Sequence, residues 1–581
     1  MKLHRARGAG HKSLLSAAGM GALVGIALAA TPASAALPNC TVAALNNLQI
    51  PQMTFTNAID VPAAGANPEY CDVYGDAKID ALIARFRIQI PSNWNRKLIY
   101  YGVGGTGGQI VSPSANAVDI AQALPKGYAT AISDTGHQST NTTDDSFAIL
   151  SPGVPNIPAI VNYNYRAAHE VTKGAKLLLQ AYNNHLSVRR AYYDGCSGGG
   201  RGALNAATHY PDDYDGIVAG DPGIGQKFLM TLKSAKSQFD PPTARIPSSM
   251  LPMIDAAVYA ACDAVDGVAD GLIQNPAMCS FDPQTLVCKN GNTTNCLSQD
   301  QAQGLRNYFH PLTDKKGKVA YGGYFPTDLS GGSANFTSYA LGPTAPSDPT
   351  GPEPWGTGTP ARGWALGDTQ LKYFYALDGN YNSQTFPMTA AGVVEDKALK
   401  LYNKRIRAYD SRDDDPKQLK DFLHRGGKLI MYNGSSDPST SPVETIRFYE
   451  QLAKHRGGYR KLHSEAQLFM VPGMVHCSGG PGPNSFDTLT ALDTWVETGK
   501  APDTLLATKY KNDSAAQGIL RQMPLCKFPE QAKYLGGNVN VAASWTCPEG
   551  DERLLQVGPS GVAAGLKANG KNDDDDDDDD D

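Results

Sequence analysis

The stretch YYDGCSGGGRGAL, residues 192–204, combines residue types that could carry out nucleophilic catalysis. Its centre fits the pattern G-x-S-x-G, which is typical of a sharp strand-to-helix turn that holds a nucleophilic serine, here Ser197, above the edge of a sheet. Small residues are needed around the serine because the turn is tight and the substrate approaches the backbone closely. A serine attacks an acyl carbon only when a base removes its proton and a carboxylate orients that base. The pattern therefore predicts a histidine and an acid elsewhere in the chain.

Two later stretches supply the acid and the base. Asp437 follows a strand-like run in LIMYNGSSDPSTSP, and His476 follows the next run in LFMVPGMVHCSGG. The chain order Ser, Asp, His, with the last two residues after late strands, is that of hydrolases with a doubly wound sheet. Asp221, near the serine turn in sequence, is the alternative acid. We predict a triad of Ser197, Asp437 and His476.

Hydrolysis through a tetrahedral intermediate also needs backbone N–H donors for the oxyanion. One donor is predicted at Gly198, the residue after the nucleophile. The second is predicted in the early glycine-rich turn GVGGTGG, at Gly104 or Gly105. The alternative for this turn is a purely structural role.

Cysteines lie next to two of the three triad residues: Cys196 precedes the serine, and Cys477 follows the histidine. A disulfide between them would hold Ser197 and His476 within hydrogen-bond reach and so prepare the proton transfer. It would close a loop of about 280 residues, for which the chain-entropy description gives a stabilisation of the order of 5 kcal/mol.

The chain has ten cysteines, an even number that favours disulfides in an exported protein. Proximity in sequence suggests three pairs, namely Cys262 with Cys279, Cys288 with Cys296, and Cys526 with Cys547. Four cysteines are then left, namely Cys40, Cys71, Cys196 and Cys477. The lack of a C-x-x-C pair argues against a structural zinc site and against a redox motif.

Strand-like apolar runs that end in polar or glycine-rich turns must position these residues. In the first part of the chain they are ALIARFRIQIP, KLIYYGVGG, YATAISDTG and RRAYYDG, and helix-like stretches such as AHEVTKGAKLLLQAYNN lie between them. The same alternation returns in GGKLIMYNGSSDP, VETIRFYEQLAKH and AQLFMVPGMVHC. It predicts an α/β fold with a mostly parallel, doubly wound sheet.

Residues 228–424 have a different composition, rich in turns, glycine, proline and aromatic residues. We predict an inserted lid domain there, which covers the carboxyl edge of the sheet between core segments at 36–227 and 425–552. A disordered linker is the alternative, but four cysteines and many aromatic residues argue against it. Six lid residues could form a substrate clamp or belong to the lid core, namely Trp355, Arg362, Trp364, Tyr373, Phe374 and Tyr375.

The two ends of the chain differ from its body. Residues 1–35 have the pattern of a secretory signal, with a membrane anchor as the alternative, and residues 553–581 are predicted to be a disordered tail that ends in nine aspartates. Without the four basic residues of 1–35 and the nine terminal aspartates, the formal net charge of −6 becomes −1, which argues against a nucleic-acid partner. No later segment approaches about 18 uninterrupted apolar residues, so the mature chain is predicted to be soluble and secreted.

Three stretches carry a resemblance to the tannase and feruloyl esterase family of α/β-hydrolases: GCSGGGRGALNAATHYPDDYDGIVAGDP, NGSSDPSTSP and LFMVPGMVHCSGG. The resemblance extends over nearly the whole mature chain. It implies that Ser197 is the nucleophile, Asp437 the triad acid and His476 the general base. Family members often carry glycine at the position of Val475 and a larger residue at that of Gly198, and neither departure removes a reacting group.

The resemblance also implies the disulfide framework and a metal site. The disulfides would be Cys196–Cys477, Cys40–Cys71 and the three pairs suggested by proximity. A structural Ca²⁺ site is implied in CDAVDGVADGLIQNP, with side-chain ligands from Asp263, Asp266 and Asp270 and carbonyl ligands from Val268 and Leu272. The alternative for this loop is a solvated acidic turn.

Taken together, these patterns predict a secreted serine esterase with a small-molecule substrate. The resemblance implies aromatic carboxylic esters of the feruloyl, galloyl or terephthaloyl monoester type. Two alternatives remain open: an esterase for aliphatic hydroxyacid esters, and a catalytically inactive secreted binding protein.

Overall fold

The computed structural model describes residues 37, 39–110, 113–408 and 415–548. The predicted signal sequence at 1–35 and the predicted acidic tail at 553–581 lie outside these residues. In the part of the chain that is described, no helix is both long enough and apolar enough to cross a membrane.

A nine-stranded sheet forms the centre of the fold, in the spatial order β1-β2-β3-β5-β4-β6-β7-β8-β9. The contacts from β1 to β5 along this order are antiparallel, and all contacts from β5 to β9 are parallel. The strands are β1 (Met53–Val61), β2 (Tyr70–Ile79), β3 (Leu82–Pro91), β4 (Lys97–Tyr101), β5 (Ala129–Ser133), β6 (Arg190–Cys196), β7 (Gly216–Gly220), β8 (Lys428–Gly434) and β9 (Ala466–Val471). The predicted α/β fold with a mostly parallel sheet is confirmed.

The parallel strands are buried on both faces, which explains their continuous apolar sequences. In β4, Leu98 and Tyr100 belong to one hydrophobic cluster, whereas Ile99 and Tyr101 belong to the cluster on the opposite face. Alternate side chains of a strand point to opposite faces, so one short strand contributes to both clusters.

The helices of the core flank this sheet, and those of the lid lie between β7 and β8 in the chain. They are α1 (Val42–Asn47), α2 (Ala117–Ala123), α3 (Ile157–Val161), α4 (Ala167–Tyr182), α5 (Gly198–His209), α6 (Lys227–Lys236), α7 (Leu251–Cys262), α8 (Gln299–Phe309), α9 (Arg362–Gln370), α10 (Asp396–Arg407), α11 (Lys420–His424), α12 (Pro442–Arg456), α13 (Tyr459–Leu462) and α14 (Thr488–Thr498). Wider π-helical turns occur at Asn162–Arg166, Thr337–Leu341 and Leu371–Ala376.

Short antiparallel ribbons complete the structure. The longest joins Thr504–Tyr510 to Ile519–Cys526 near the end of the described chain. The others join Ile149–Ser151 to Val154–Pro155, Leu312–Thr313 to Val319–Tyr321, and Lys533–Tyr534 to Trp545–Thr546.

The lid has a hydrophobic cluster of its own, which contains residues from Leu229 to Tyr402. Within it, α9 approaches α6 closely because its contact face carries glycines: a Cβ on Gly367 would stand 2.3 Å from Cβ of Leu232. The short helix α11, which the predicted boundary at residue 424 assigns to the lid, instead packs Phe422 against the sheet.

All ten cysteines form disulfides, and the pairs are those that the family resemblance implies. They are Cys40–Cys71, Cys196–Cys477, Cys262–Cys279, Cys288–Cys296 and Cys526–Cys547. Four of the bonds join cysteines at most 31 residues apart, whereas Cys196 and Cys477 are separated by 281 residues.

Candidate active site

Ser197 lies in a strained turn between β6 and α5. Its backbone has φ 62° and ψ −121°, a conformation that L-residues with a side chain rarely adopt. The turn is possible because glycines surround it: a Cβ on Gly195 would stand 2.5 Å from the carbonyl carbon of Gly199. This geometry holds the serine side chain at the carboxyl edge of the sheet, as the G-x-S-x-G pattern predicts.

The sheet register brings the loops after β6, β7 and β8 to one edge. Cys196 at the end of β6 lies opposite Gly220 of β7, which in turn lies opposite Tyr432 of β8. The carboxyl ends of parallel strands meet at the same edge, so loops distant in sequence become neighbours there. Ser197 and Asp437 are placed in this way.

Ser197, His476 and Asp437 form a continuous hydrogen-bonded chain. Nδ1 of His476 lies 2.7 Å from Oδ2 of Asp437, and Nε2 lies 2.8 Å from Oγ of Ser197. With Nδ1 donating to the carboxylate, Nε2 is free to accept the serine proton. The arrangement can therefore carry out nucleophilic attack with general base assistance.

Asp437 is held as an oriented carboxylate. Its Oδ1 accepts hydrogen bonds from the backbone amides of Ser439 and Thr440, and its Oδ2 accepts one from Oγ1 of Thr440. Burial alone would raise the pKa of Asp437, but His476 and these hydrogen bonds outweigh burial and hold its pKa below the ordinary value.

His476 is held in its neutral form. Burial has the largest effect on the pKa of His476 and lowers it; Asp437 opposes this, but the nearby cations Lys227 and Arg362 lower the pKa as well, and it lies below the ordinary value. A neutral imidazole is the form that can take the proton of Ser197. The ring of Tyr339 from the lid meets the His476 ring edge-on, with centroids 5.4 Å apart.

The structure brings all three glycines proposed for the oxyanion site together. A Cβ on Gly198 would stand 2.3 Å from the carbonyl oxygen of Gly105 and 3.2 Å from the carbonyl carbon of Gly104. Gly198 is the first residue of α5, so its amide has no partner inside the helix. Gly105 has φ +61°, so its amide lies in a tight turn that faces Gly198.

Asp221, the alternative acid, lies in the same catalytic centre. The His476 ring, however, is hydrogen-bonded to Asp437 and not to Asp221. Asp221 is fully buried and accepts hydrogen bonds from the backbone amides of Gly434 and Cys477. One oxygen of Asp221, one of Asp437 and a ring nitrogen of His476 all lie within 4.8 Å of one another.

Two further residues near the triad were not predicted from the sequence. Lys227 is only 1% exposed, and burial lowers its pKa to about 8. Tyr339 is buried beside His476. Lysine is mostly found at protein surfaces, so a single sequence offers no signal for a buried one.

The lid residues considered for a substrate clamp divide between two places. Trp355 and Trp364 pack against Phe239 in the lid core, so they do not line the catalytic centre. Arg362 is exposed, and its guanidinium lies 5.9 Å from the centroid of the Tyr339 ring, which itself faces His476.

The remaining clamp candidates lie further along the same lid segment. Phe374 contacts Phe147 and Tyr163 of the core, in a cluster that Tyr373 borders. Tyr375 packs against Phe386 inside the lid.

The predicted calcium loop is wrapped around its aspartates. Asp263 accepts hydrogen bonds from the amides of Gly271 and Leu272, and Asp266 accepts them from Val268 and Gln274. These bonds curl the loop so that its acidic side chains are drawn toward one another.

The donors of this loop have the chemistry that Ca²⁺ prefers, which is a set of hard oxygen ligands. Burial raises the pKa of Asp266 to about 6, and repulsion from Asp263 and Asp270 adds to the increase. Asp270 is 3.3 Å from the Arg521 guanidinium. Among the described residues, however, the groups of three acidic, histidine or cysteine side chains whose ligand atoms lie within 4.8 Å all contain Asp221, in the catalytic centre. A cation in the loop would therefore have to draw its carboxylates closer together.

The fold is that of an α/β-hydrolase. A serine lies in a strained turn after a central parallel strand, and an aspartate and a histidine follow the last strands of the sheet. Residues 71–548 match the family described as tannase and feruloyl esterase, and the chain belongs to this family.

Relatives of the chain are esterases. It is 32% identical to an uncharacterized esterase of Xanthomonas campestris pv. campestris, with 90% of this chain and 93% of that protein covered. It is 30% identical to the mono(2-hydroxyethyl) terephthalate hydrolase of Piscinibacter sakaiensis, with 84% and 86% covered. The crystal structure of feruloyl esterase B from Aspergillus oryzae shares the fold, with a TM-score of 0.70, 22% identity, and 86% and 97% covered. The protein is a carboxylic ester hydrolase.

Proposed function

We propose that this protein hydrolyses aromatic carboxylic esters of the feruloyl, galloyl or terephthaloyl monoester type through a triad of Ser197, His476 and Asp437. The observation that carries the proposal is the position of His476, whose two ring nitrogens contact Asp437 and Ser197 at 2.7 and 2.8 Å. This is the geometry that proton transfer from a serine nucleophile requires.

In the proposed reaction, Nε2 of His476 takes the proton of Ser197 as Oγ attacks the ester carbonyl. Asp437 stabilises the imidazolium that forms. The oxyanion of the tetrahedral intermediate is held by the amide of Gly198 and by that of Gly104 or Gly105. His476 then gives its proton to the departing alcohol, and water releases the acid from the acyl-enzyme by the same steps.

The aromatic substrate class is supported by the family and by the lid. Among the relatives are proteins named for terephthalate monoester and feruloyl ester hydrolysis. The Tyr339 ring beside His476 offers an aromatic surface next to the reacting atoms. Stacking or edge-to-face contact with an aromatic acyl group would favour such substrates over aliphatic ones of equal size.

The test is hydrolysis of a matched panel of esters: methyl ferulate, methyl gallate, a terephthalate monoester and an aliphatic hydroxybutyrate ester. We expect an aromatic preference that is lost in Ser197→Ala and retained in Ser237→Ala, which removes another buried serine hydroxyl outside the site. An aliphatic preference would contradict the substrate class. Activity that survives in Ser197→Ala, or no activity in the intact protein, would contradict the triad.

We further propose that the protein is exported and carries a structural Ca²⁺. Five disulfides require an oxidising compartment, which supports export. The calcium would be held by Asp263, Asp266 and Asp270 with the carbonyls of Val268 and Leu272, and it would fix the lid loop that Arg521 of the last long ribbon contacts.

A further inference from the structure

Asp221 is a second carboxyl group in the catalytic centre that the proposed triad leaves unused. It follows β7 directly, is 0% exposed and has φ 35°, a conformation that only a well-determined environment maintains. Its own amide donates to the carbonyl oxygen of Tyr432 on β8. A charged group is costly at such a position unless it has strong partners.

The contacts of Asp221 reach all three loops that carry the triad. Oδ1 accepts the amide of Gly434, three residues before Asp437, at 2.7 Å. Oδ2 accepts the amide of Cys477, the neighbour of His476, at 2.8 Å. Sγ of Cys196, the neighbour of Ser197, lies 3.3 Å from the same oxygen. One side chain thus touches a residue at or near each reacting group.

The surroundings of Asp221 favour its neutral form. Both hydrogen bonds come from backbone amides and neither comes from a cation. Burial raises the pKa of Asp221 well above its usual range, and the Asp437 carboxylate, which is close enough to share a hydrogen bond with it, raises the pKa further. The titratable groups that face it are Asp437 and His476 from the loops after β8 and β9, Tyr432 from β8, Lys227 from α6 and Tyr339 from the lid.

We propose that Asp221 is a positioning residue that acts as a neutral carboxylic acid. Its oxygens hold the amides of Gly434 and Cys477, and its proton is shared with Asp437, so that the two acids together carry one negative charge. The pair keeps the acid and histidine loops in register with the serine turn. This inference rests on the triad proposed above.

The test compares Asp221→Asn with Asp221→Ala. Asparagine is neutral, keeps one of the two amide contacts and can donate to Asp437, so we expect it to lose clearly less of kcat than alanine does and to leave the acid limb of the kcat/KM profile in place. Alanine removes both amide contacts, and we expect kcat to fall about 100-fold with a smaller change in KM, as for a modest displacement of reacting groups.

Asp194 provides the matched control. It is also a fully buried carboxyl, on the strand that leads to Ser197, and its charge is disfavoured by burial and by Asp119 rather than by the triad. Asp194→Asn and Asp194→Ala should change the melting temperature without the same loss of kcat. Melting temperature and free-thiol titration of each variant report whether the fold and the Cys196–Cys477 bond are intact.

Three results would overturn the proposal. An Asp221→Asn variant as impaired as Asp221→Ala, or one whose acid limb moves to lower pH, would mean that Asp221 works as a carboxylate. Unchanged kcat in folded Asp221→Ala would mean that it positions nothing. If Asp221→Ala does not fold, the pH profile of Asp221→Asn still decides. Activity in Ser197→Ala would instead refute the triad itself, which separates the two failures.

Discussion

Gly198 and Gly105 face each other so closely that a Cβ on Gly198 would stand 2.3 Å from the carbonyl oxygen of Gly105. Real Cβ atoms do not tolerate this distance, so Gly198→Ala must push the two proposed oxyanion donors apart. We expect kcat to fall about 100-fold, the order of losing one such donor, with a smaller change in KM. Steady-state kinetics on the preferred ester would measure this.

Gly426→Ala is the control for this variant, because Gly426 also becomes alanine but has no atom within 4 Å of its Cβ position. Its left-handed φ of +95° makes the substitution costly for stability, yet kcat should remain. Equal losses of kcat in both variants would contradict the oxyanion assignment.

The Cys196–Cys477 disulfide should contribute more to activity than the other four disulfides do. The pair closes a loop of 281 residues, and replacing both cysteines by alanine should lower the free energy of unfolding by about 5 kcal/mol in the chain-entropy description. Because the bond also holds the serine and histidine loops, kcat should decrease even well below the melting temperature.

Removal of Cys288–Cys296 is the comparison, since this lid disulfide spans only 8 residues and should cost about 2.5 kcal/mol without loss of kcat. Chemical denaturation and kinetics at one temperature would separate the effects. Full kcat in folded protein that lacks Cys196–Cys477 would refute the role of this bond in positioning.

The pH dependence of kcat/KM should show the effect of the two cations near His476, Lys227 and Arg362. Burial, Lys227 and Arg362 all lower the pKa of His476, so the rate should fall with acid only below about pH 6.5, the ordinary value for histidine. Lys227→Met removes one positive charge, which raises the pKa of His476 and moves the acid limb of kcat/KM to higher pH.

Arg362→Gln should shift the limb in the same direction but by less, because Arg362 is exposed and its charge is screened by water and salt. If the acid limb of kcat/KM stays at the same pH in Lys227→Met, the charge of Lys227 does not affect the pKa of His476.

Asp119 should make the fold less stable as the pH rises. Burial raises its pKa to about 7, and Asp194 beside it is raised as well. The folded state thus keeps a proton that the unfolded chain releases above about pH 4, so this contribution to stability is complete below pH 4 and declines up to about pH 7.

Asp119→Asn can still accept the amide of Leu489 and should flatten the decline. Urea unfolding at several pH values would show this, with Asp503→Asn, an exposed acid, as the control. If the free energy of unfolding declines with pH as steeply in Asp119→Asn as in the original protein, Asp119 is not the cause of the decline.

Calcium removal should lower the melting temperature without inhibiting the enzyme directly. A chelator restores the repulsion among Asp263, Asp266 and Asp270, and the loop that they form lies in the lid. Added Ca²⁺ should raise the melting temperature of the original protein but not of Asp263→Ala. Glu395→Gln, an exposed lid acid, should behave like the original protein. An equal response in Asp263→Ala would place the ion elsewhere.

The sequence predicted the parts of the site that depend on local patterns. The G-x-S-x-G turn and the order of Ser197, Asp437 and His476 follow from strand ends and turn chemistry, and so does the α/β alternation. The roles of Lys227 and Tyr339 were missed because they depend on how the lid packs onto the core. Asp221 was singled out only as a rival acid, since its contacts with Gly434 and Cys477 exist only after three loops distant in sequence meet.

The 281 residues between Cys196 and Cys477 also set an order of events during synthesis. In a chain made from its amino terminus, the Cys196 thiol follows Cys40 and Cys71, and four lid cysteines are then made before its partner Cys477. Cys196 must therefore bypass all four, while Cys262–Cys279 and Cys288–Cys296 close locally. Since the proposed acid and base, Asp437 and His476, lie in the same late segment, we expect no esterase activity before that segment has been made and folded.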